Sequence, residues 1–300
     1  MFRAIVVFSL LAIISSCNEQ KTRQSVASLP DKSDFIKINL DTIHAAFDTR
    51  VQETSGLLKI DDTYWTNNDS GGEPNLYQYD MESGEVVRSV LVKGVKNIDW
   101  EEITVDSTHF YIGDFGNNFG NRDNLAIYKG LISDLKKNDE VNVEEIKFSY
   151  PDQNEFYNGY NHNHDCEAMV IYHEKLFLFS KNWLDRRCKM YTLPTKPGTY
   201  EAKLVSEFNT EGTVTAAALS PSQNELILLG YQPIPKKGFD PFVWKISKWS
   251  GDDLLSGEKR RYDFSIRRQM EGVMYLDDRT LAISAEDENG STPSLFRMNL

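Results

Sequence analysis

The sequence predicts an all-β protein, a five-bladed β-propeller of four-stranded blades. Three observations predict it. A short phrase returns five times, each return opens the same order of strands and turns, and the last repeat lacks its fourth strand. The phrases are Ser55-Gly56-Leu57, Glu101-Glu102-Ile103, Glu167-Ala168-Met169, Thr215-Ala216-Ala217 and Glu271-Gly272-Val273, spaced by 46, 66, 48 and 56 residues. Repeats of this length signal a radial or stacked architecture.

Each phrase begins a first strand of partly alternating pattern. A polar turn follows: Asp61-Asp62, Asp106-Ser107, His173-Glu174, Ser222-Gln223 and Asp277-Asp278. Second strands are expected at 63–66, 110–113, 176–180, 225–230 and 280–284, and third strands at 76–79, 125–129, 190–193, 242–246 and 294–298. These runs are short, rich in β-branched and aromatic residues, and bounded by turn formers. Fourth strands are expected at 86–92, 143–148, 202–207 and 261–265. The fifth repeat ends at Leu300 without one, so 35–40 is expected to supply it and close the ring. Closure removes the open edges that invite aggregation. A two-sheet sandwich would not require the same order in every repeat.

The domain is expected at 35–300, preceded by a targeting segment at 1–16 and a tether at 17–34. Arg3 is followed by an apolar run at 4–14, too short to span a bilayer. Ile14-Ser15-Ser16-Cys17 resembles the lipobox of bacterial lipoproteins. That resemblance implies cleavage before Cys17, lipidation of its thiol, and anchoring in the bacterial envelope, the outer membrane first. The tether is polar and poor in apolar residues. Removing Arg3 takes the net charge from −12 to −13. Such an acidic chain lacks the basic surface that a nucleic-acid polymer requires, and a monomer is expected. Cys166 and Cys188 could form a disulfide in an exported protein or remain thiols.

A propeller brings the starts of its five inner strands to one axis. Ser55, Glu101, Glu167, Thr215 and Glu271 would then face each other there. Glu53, Asp99, Asp165, Thr213 and Gln269 lie two residues earlier, one layer nearer the mouth by strand period. Three converging carboxylates repel, so their pKa values rise or a cation neutralises them. Oxygen-only ligands favour Ca²⁺, with Mg²⁺ second and zinc disfavoured. The alternative is a water-filled channel whose carboxylates bond backbone amides of neighbouring blades.

The order Ser, Glu, Glu, Thr, Glu resembles the calcium-activated apyrases, five-bladed propellers that hydrolyse nucleotide di- and triphosphates around an axial Ca²⁺. The resemblance implies Ser55, Glu101, Glu167, Thr215 and Glu271 as metal ligands, Thr215 standing where that family has serine. Asp69 of Asn68-Asp69-Ser70 falls where the family has a mouth aspartate followed by arginine; Ser70 is not arginine, which removes one phosphate-binding cation. Asp99-Trp100-Glu101-Glu102 and Gly113-Asp114-Phe115-Gly116-Asn117-Asn118 also resemble a broader group of exported propellers, including esterase-like phytases and SdiA-regulated proteins.

The loops expected on the metal face are 67–75, 114–124, 181–189, 231–241 and 285–293. They carry Arg122, Lys181, Arg186, Arg187, Lys236 and Lys237, which could grip an anionic substrate or point into solvent. Asp69 or Asp114 would be the general base of a hydrolase. His162 and His164 are expected to line the mouth. Aromatic loop residues Phe119, Trp183, Tyr231 and Phe239 suit the other reading, a module binding a glycan, a peptide or an envelope partner.

Overall fold

The computed structural model describes residues 34–156, 158–286 and 292–300. The targeting segment, Cys17 and the tether up to residue 33 lie outside the described residues. Two short strands come first, β1 (Ile36–Ile38) and β2 (Asp41–His44). Blade 1 is β3 (Thr54–Ile60), β4 (Thr63–Asn68), β5 (Asn75–Tyr79) and β6 (Val86–Val92). Blade 2 is β7 (Trp100–Val105), β8 (His109–Asp114), β9 (Ala126–Leu131) and outer strand β11 (Glu144–Ser149); between β9 and β11 the chain forms helix α1 (Ile132–Lys137) and β10 (Glu140–Val141), a strap on blade 1. Blade 3 is β12 (Cys166–Tyr172), β13 (Lys175–Ser180), β14 (Cys188–Pro194) and outer strand β16 (Lys203–Phe208); between β14 and β16 the chain forms β15 (Gly198–Glu201), a strap on blade 2. Blade 4 is β17 (Thr213–Leu219), β18 (Glu225–Ile234), β19 (Gly238–Ser247) and β20 (Glu258–Phe264). Blade 5 is β21 (Met270–Asp277), β22 (Thr280–Ala285) and β23 (Ser294–Asn299), completed by β2 from the other end of the chain.

The inner strands touch in a closed cycle, β3 to β7, β12, β17, β21 and back to β3. Five apolar clusters fill the five gaps between blades. Between blades 1 and 2, for example, Trp65, Leu76 and Val90 meet Trp100, Phe110 and Ile112. Between blades 5 and 1, Met274, Ala282 and Leu295 meet Leu57, Tyr77 and Tyr79. Each fully buried large side chain contributes about 1.5–3 kcal/mol of transfer free energy, so the blades are held mainly face to face.

Ring closure uses a different segment from the one expected. Strand β2, not 35–40, pairs antiparallel with β23. Strand β1 instead runs parallel to β20 of blade 4. The reason is packing: the Phe35 ring meets Trp244 edge-on at 5.8 Å, and the Arg261 guanidinium lies 4.8 Å from it. Two further parallel straps, β10 on β6 and β15 on β11, cover the outer edges of blades 1 and 2. Covered edges have no free amide row to recruit another chain. The stretch 231–241 is also not a loop. It is the extended tip of the β18–β19 hairpin, with Tyr231 opposite Pro241 and Ile234 opposite Gly238.

The recurrent phrase has a structural meaning. Each inner strand slips register at that phrase: between Thr54 and Leu57, Trp100 and Glu102, Cys166 and Ala168, Val214 and Ala216, and Met270 and Gly272. These are β-bulges, which leave a residue unpaired and re-aim its side chain. The displaced residues are Ser55 with Gly56, then Glu101, Glu167, Thr215 and Glu271.

Candidate metal centre at the mouth of the channel

The five displaced residues with side-chain oxygens, Ser55, Glu101, Glu167, Thr215 and Glu271, are buried, with 1–5% of their surface exposed. The two hydroxyls tie blades together. Ser55 Oγ donates to the Glu101 carbonyl at 2.5 Å, and Thr215 Oγ1 to the Met270 carbonyl at 2.7 Å. The three glutamates differ. Glu167 Oε1 is ion-paired with Lys181 Nζ, while its Oε2 is buried without a hydrogen bond. Glu271 Oε1 accepts from Gln269 Nε2 at 2.6 Å. Glu101 Oε1 is buried without a hydrogen bond.

Glu101 is joined by two aspartates from the mouth. Asp69, Asp99 and Glu101 each offer an oxygen, all within 4.8 Å of one another. Asp69 Oδ1 is also buried without a partner. Loop 114–124 supplies the floor: a Cβ on Gly116 would lie 2.1 Å from Glu101 Oε1 and 2.5 Å from Asp99. Only glycine fits there.

Burial raises the Glu101 carboxyl well above the usual range, and Asp69 and Glu167 push it further. Asp99 is pushed up to about 8 by burial, then Asp69 and Asp165. Asp69 is raised to about 6 by burial, with Lys181 opposing. Glu271 is raised to about 7 by burial, again against Lys181. The raised values favour the protonated forms, Asp99 and Glu101 most, unless a cation neutralises the site. Orphaned oxygens, an oxygen-only donor set and a glycine-cleared floor fit a hard divalent cation on the Glu101 side of the ring.

Several neighbours are already committed. Asp165 accepts from the Asn117 and Cys166 amides at 2.7 and 2.9 Å and from Trp183 Nε1 at 2.8 Å. It anchors loops rather than offering a free ligand. Asp114 is completely buried, bonded by Arg122 at 2.8 Å and Tyr128 at 3.1 Å. That position closes Asp114 to a substrate. Arg122 also donates to the Gly116 carbonyl at 2.7 Å, so it fixes the glycine loop. Lys181 lies inside the channel and not on a loop tip. Arg186 lies over the Trp183 ring at 5.5 Å with Nη1 buried and unbonded. Arg187 pairs with Glu207 at 3.0 Å. Lys236 and Lys237 are exposed at the blade 4 hairpin tip. His162 is buried, its Nε2 against the Asn118 carbonyl at 2.9 Å and its Nδ1 accepting from the His164 amide at 3.1 Å. Cys166 and Cys188 are buried free thiols.

Glu102 escaped the sequence reading. It points the other way from Glu101, accepting from the Ile103 amide and, across the channel, from the Ala217 amide, both at 3.1 Å. It stitches blade 2 to blade 4. Its neighbours Ile103, Thr104, Ala217 and Ala218 help line a cavity of about 400 Å³ beyond the ring. The position of Asp99, two residues before Glu101, was legible as mouth-facing; its partnership with Asp69 was not.

No family model matches the chain, and no curated protein matches its sequence. Similar solved structures include an exo-β-1,3-galactanase from Phanerochaete chrysosporium with β-1,3-galactotriose, at 11% identity and a TM-score of 0.55 over 88% of this chain and 64% of that one. The same galactanase with galactose gives 12%, 0.54, 87% and 64%. This chain therefore spans under two-thirds of the galactanase chains. A glucose dehydrogenase gives 8% identity and a TM-score of 0.49 over 88% of this chain and 100% of that one. At these identities the galactanase likeness shows a shared propeller fold and carries no reaction over to this chain.

Proposed function

We propose that this is an exported, envelope-anchored propeller that binds a divalent cation at the mouth of its channel, Ca²⁺ first and Mg²⁺ second, and hydrolyses a phosphate ester or nucleotide there. One observation carries the cation: Glu101 Oε1 is buried and unbonded beside Asp69 and Asp99. A carboxylate oxygen in that state is costly unless protonated or neutralised. Asp69, Asp99 and Glu101 would hold the cation, with Ser55, Glu167, Thr215 and Glu271 around it. When bound, such a cation lowers the pKa of a coordinated water and polarises an anionic ester.

The chain's own groups divide the remaining work. With Asp114 buried against Arg122, Asp69 at the mouth is the carboxylate beside the bound water that would accept its proton. Arg122 and Lys181 are committed internally and Arg187 is paired with Glu207, so Arg186, Lys236 and Lys237 are the loop cations left for an anionic substrate. Trp183, anchored by Asp165, presents the surface on which Arg186 lies. Lipidation at Cys17 would hold the domain at the bilayer.

A second reading has its own support. Phe119, Tyr160 and Trp183 form an aromatic shelf, with ring centroids 5.4 and 4.8 Å apart. Phe119 and Tyr160 are 48% and 53% exposed, an arrangement that suits a glycan or peptide. In that reading the cation only braces the blades. A panel of phosphate esters and nucleotides, assayed with Ca²⁺ for the parent and for Asp69→Asn, separates the two. The hydrolase reading expects turnover and a loss of about 100-fold or more in the folded variant. Calcium binding without turnover on any substrate would leave the binding module.

A further inference from the structure

Lys181 is an unusual residue to find in this channel. It follows β13, and its amide donates to the Asp165 carbonyl at 2.8 Å. That bond turns the side chain inward, where only 4% of the residue is exposed. Its Nζ pairs with Glu167 Oε1 and lies 4.9 Å from the Trp183 ring centroid and 5.5 Å from that of Tyr231. Glu271 and Asp165 also act on it electrostatically, and Lys181 in turn acts on Asp69. A fixed ammonium therefore sits among the carboxyls from which a ring of metal ligands would be built.

We propose that Lys181 is a tethered counter-cation: it takes the Glu167 side of the ring, and so confines a divalent cation to Asp69, Asp99 and Glu101 and weakens its binding. The inference rests on the cation reading above and specifies it. One ammonium cannot neutralise Asp69, Asp99, Glu101, Glu167 and Glu271 together, so the Glu101 side, with its unbonded oxygens, stays available. A second positive charge on the Glu167 side would repel Lys181 directly. The lysine thus allows the channel to stay closed and folded when no metal is present, and sets a threshold for metal entry.

The test is calorimetric Ca²⁺ titration of chelator-stripped mature domain, with melting curves in EDTA, for the parent, Lys181→Met, Glu167→Gln, Lys181→Met/Glu167→Gln and Asp69→Asn. Lys181→Met is expected to bind Ca²⁺ at least about tenfold more tightly. Adding Glu167→Gln should cancel that gain, and Asp69→Asn should weaken the parent. In EDTA, Lys181→Met should melt lower by about 5 °C or more, and the double variant should recover, because it removes the stranded carboxylate. Parent binding with unchanged or weaker affinity in folded Lys181→Met overturns the lysine's role alone. So does loss of parent binding in Glu167→Gln, which would make Glu167 a ligand despite its lysine. No binding by any variant overturns the cation reading and this siting with it.

Discussion

Glu101→Gln should stabilise the metal-free protein and abolish its response to calcium. Glu101 is 3% exposed, and its oxygen lies within 4.8 Å of those of Asp69 and Asp99. At that separation and an effective dielectric of ~20, two ionised carboxylates repel by about 3.5 kcal/mol. Protonation caps the cost, because Asp99, at about 8, is largely neutral at pH 7. Glu101, raised well above the usual range, escapes that repulsion only by taking up a proton at pH 7; glutamine is neutral without that cost and keeps the shape, for a net gain of about 2 kcal/mol. A domain of this size converts that to about 4–8 °C. Calcium at 100 times its Kd should raise the parent by about 2.7 kcal/mol and leave the variant unmoved. The assay is thermal melting by circular dichroism in EDTA and in CaCl₂. The two proteins should exchange rank between the buffers. A variant that melts lower in EDTA and rises with calcium as the parent does would refute the reasoning, because Glu101 would then be neither strained nor a ligand.

Three further outcomes follow from the same geometry. Gly116→Ala places a methyl group 2.1 Å from Glu101 Oε1, so it should cost about 1–3 kcal/mol and weaken Ca²⁺ binding at least about tenfold, read by melting and calorimetry. Arg122→Met should cost about 3–5 kcal/mol by stranding buried Asp114, and Arg122→Met/Asp114→Asn should cost less than the sum of the singles in urea denaturation. Asp69 and Asp99 have folded values of about 6 and 8, above their unfolded ones, so the folded state binds more protons between about pH 4 and 8. Their stabilising contribution is full at the acid end and lost as pH rises, so metal-free protein should melt lower at pH 8 than at pH 6, and saturating Ca²⁺ should cancel the fall.

The repeat was visible in the sequence because every blade must solve the same local problem. An inner strand needs small or apolar residues to approach its neighbour, and a turn needs Asp, Ser or Gly; both leave local marks. Five bulged positions likewise left five phrases, and their oxygen chemistry could be read directly. What each oxygen meets could not be read, because its partner comes from another blade: Ser55 with Glu101, Thr215 with Met270, Glu102 with Ala217. Only the tertiary structure decided that Lys181 turns inward to Glu167, that Arg122 is committed to Asp114, and that Asp69 reaches Asp99 and Glu101. It also decided which edge each N-terminal strand covers, since residues 35–40 and 41–44 both read as extended and packing of Phe35 on Trp244 selects between them. Strand propensity and turn chemistry are properties of neighbours in sequence, whereas charge compensation in a closed ring depends on residues as far apart as Asp69 and Lys181.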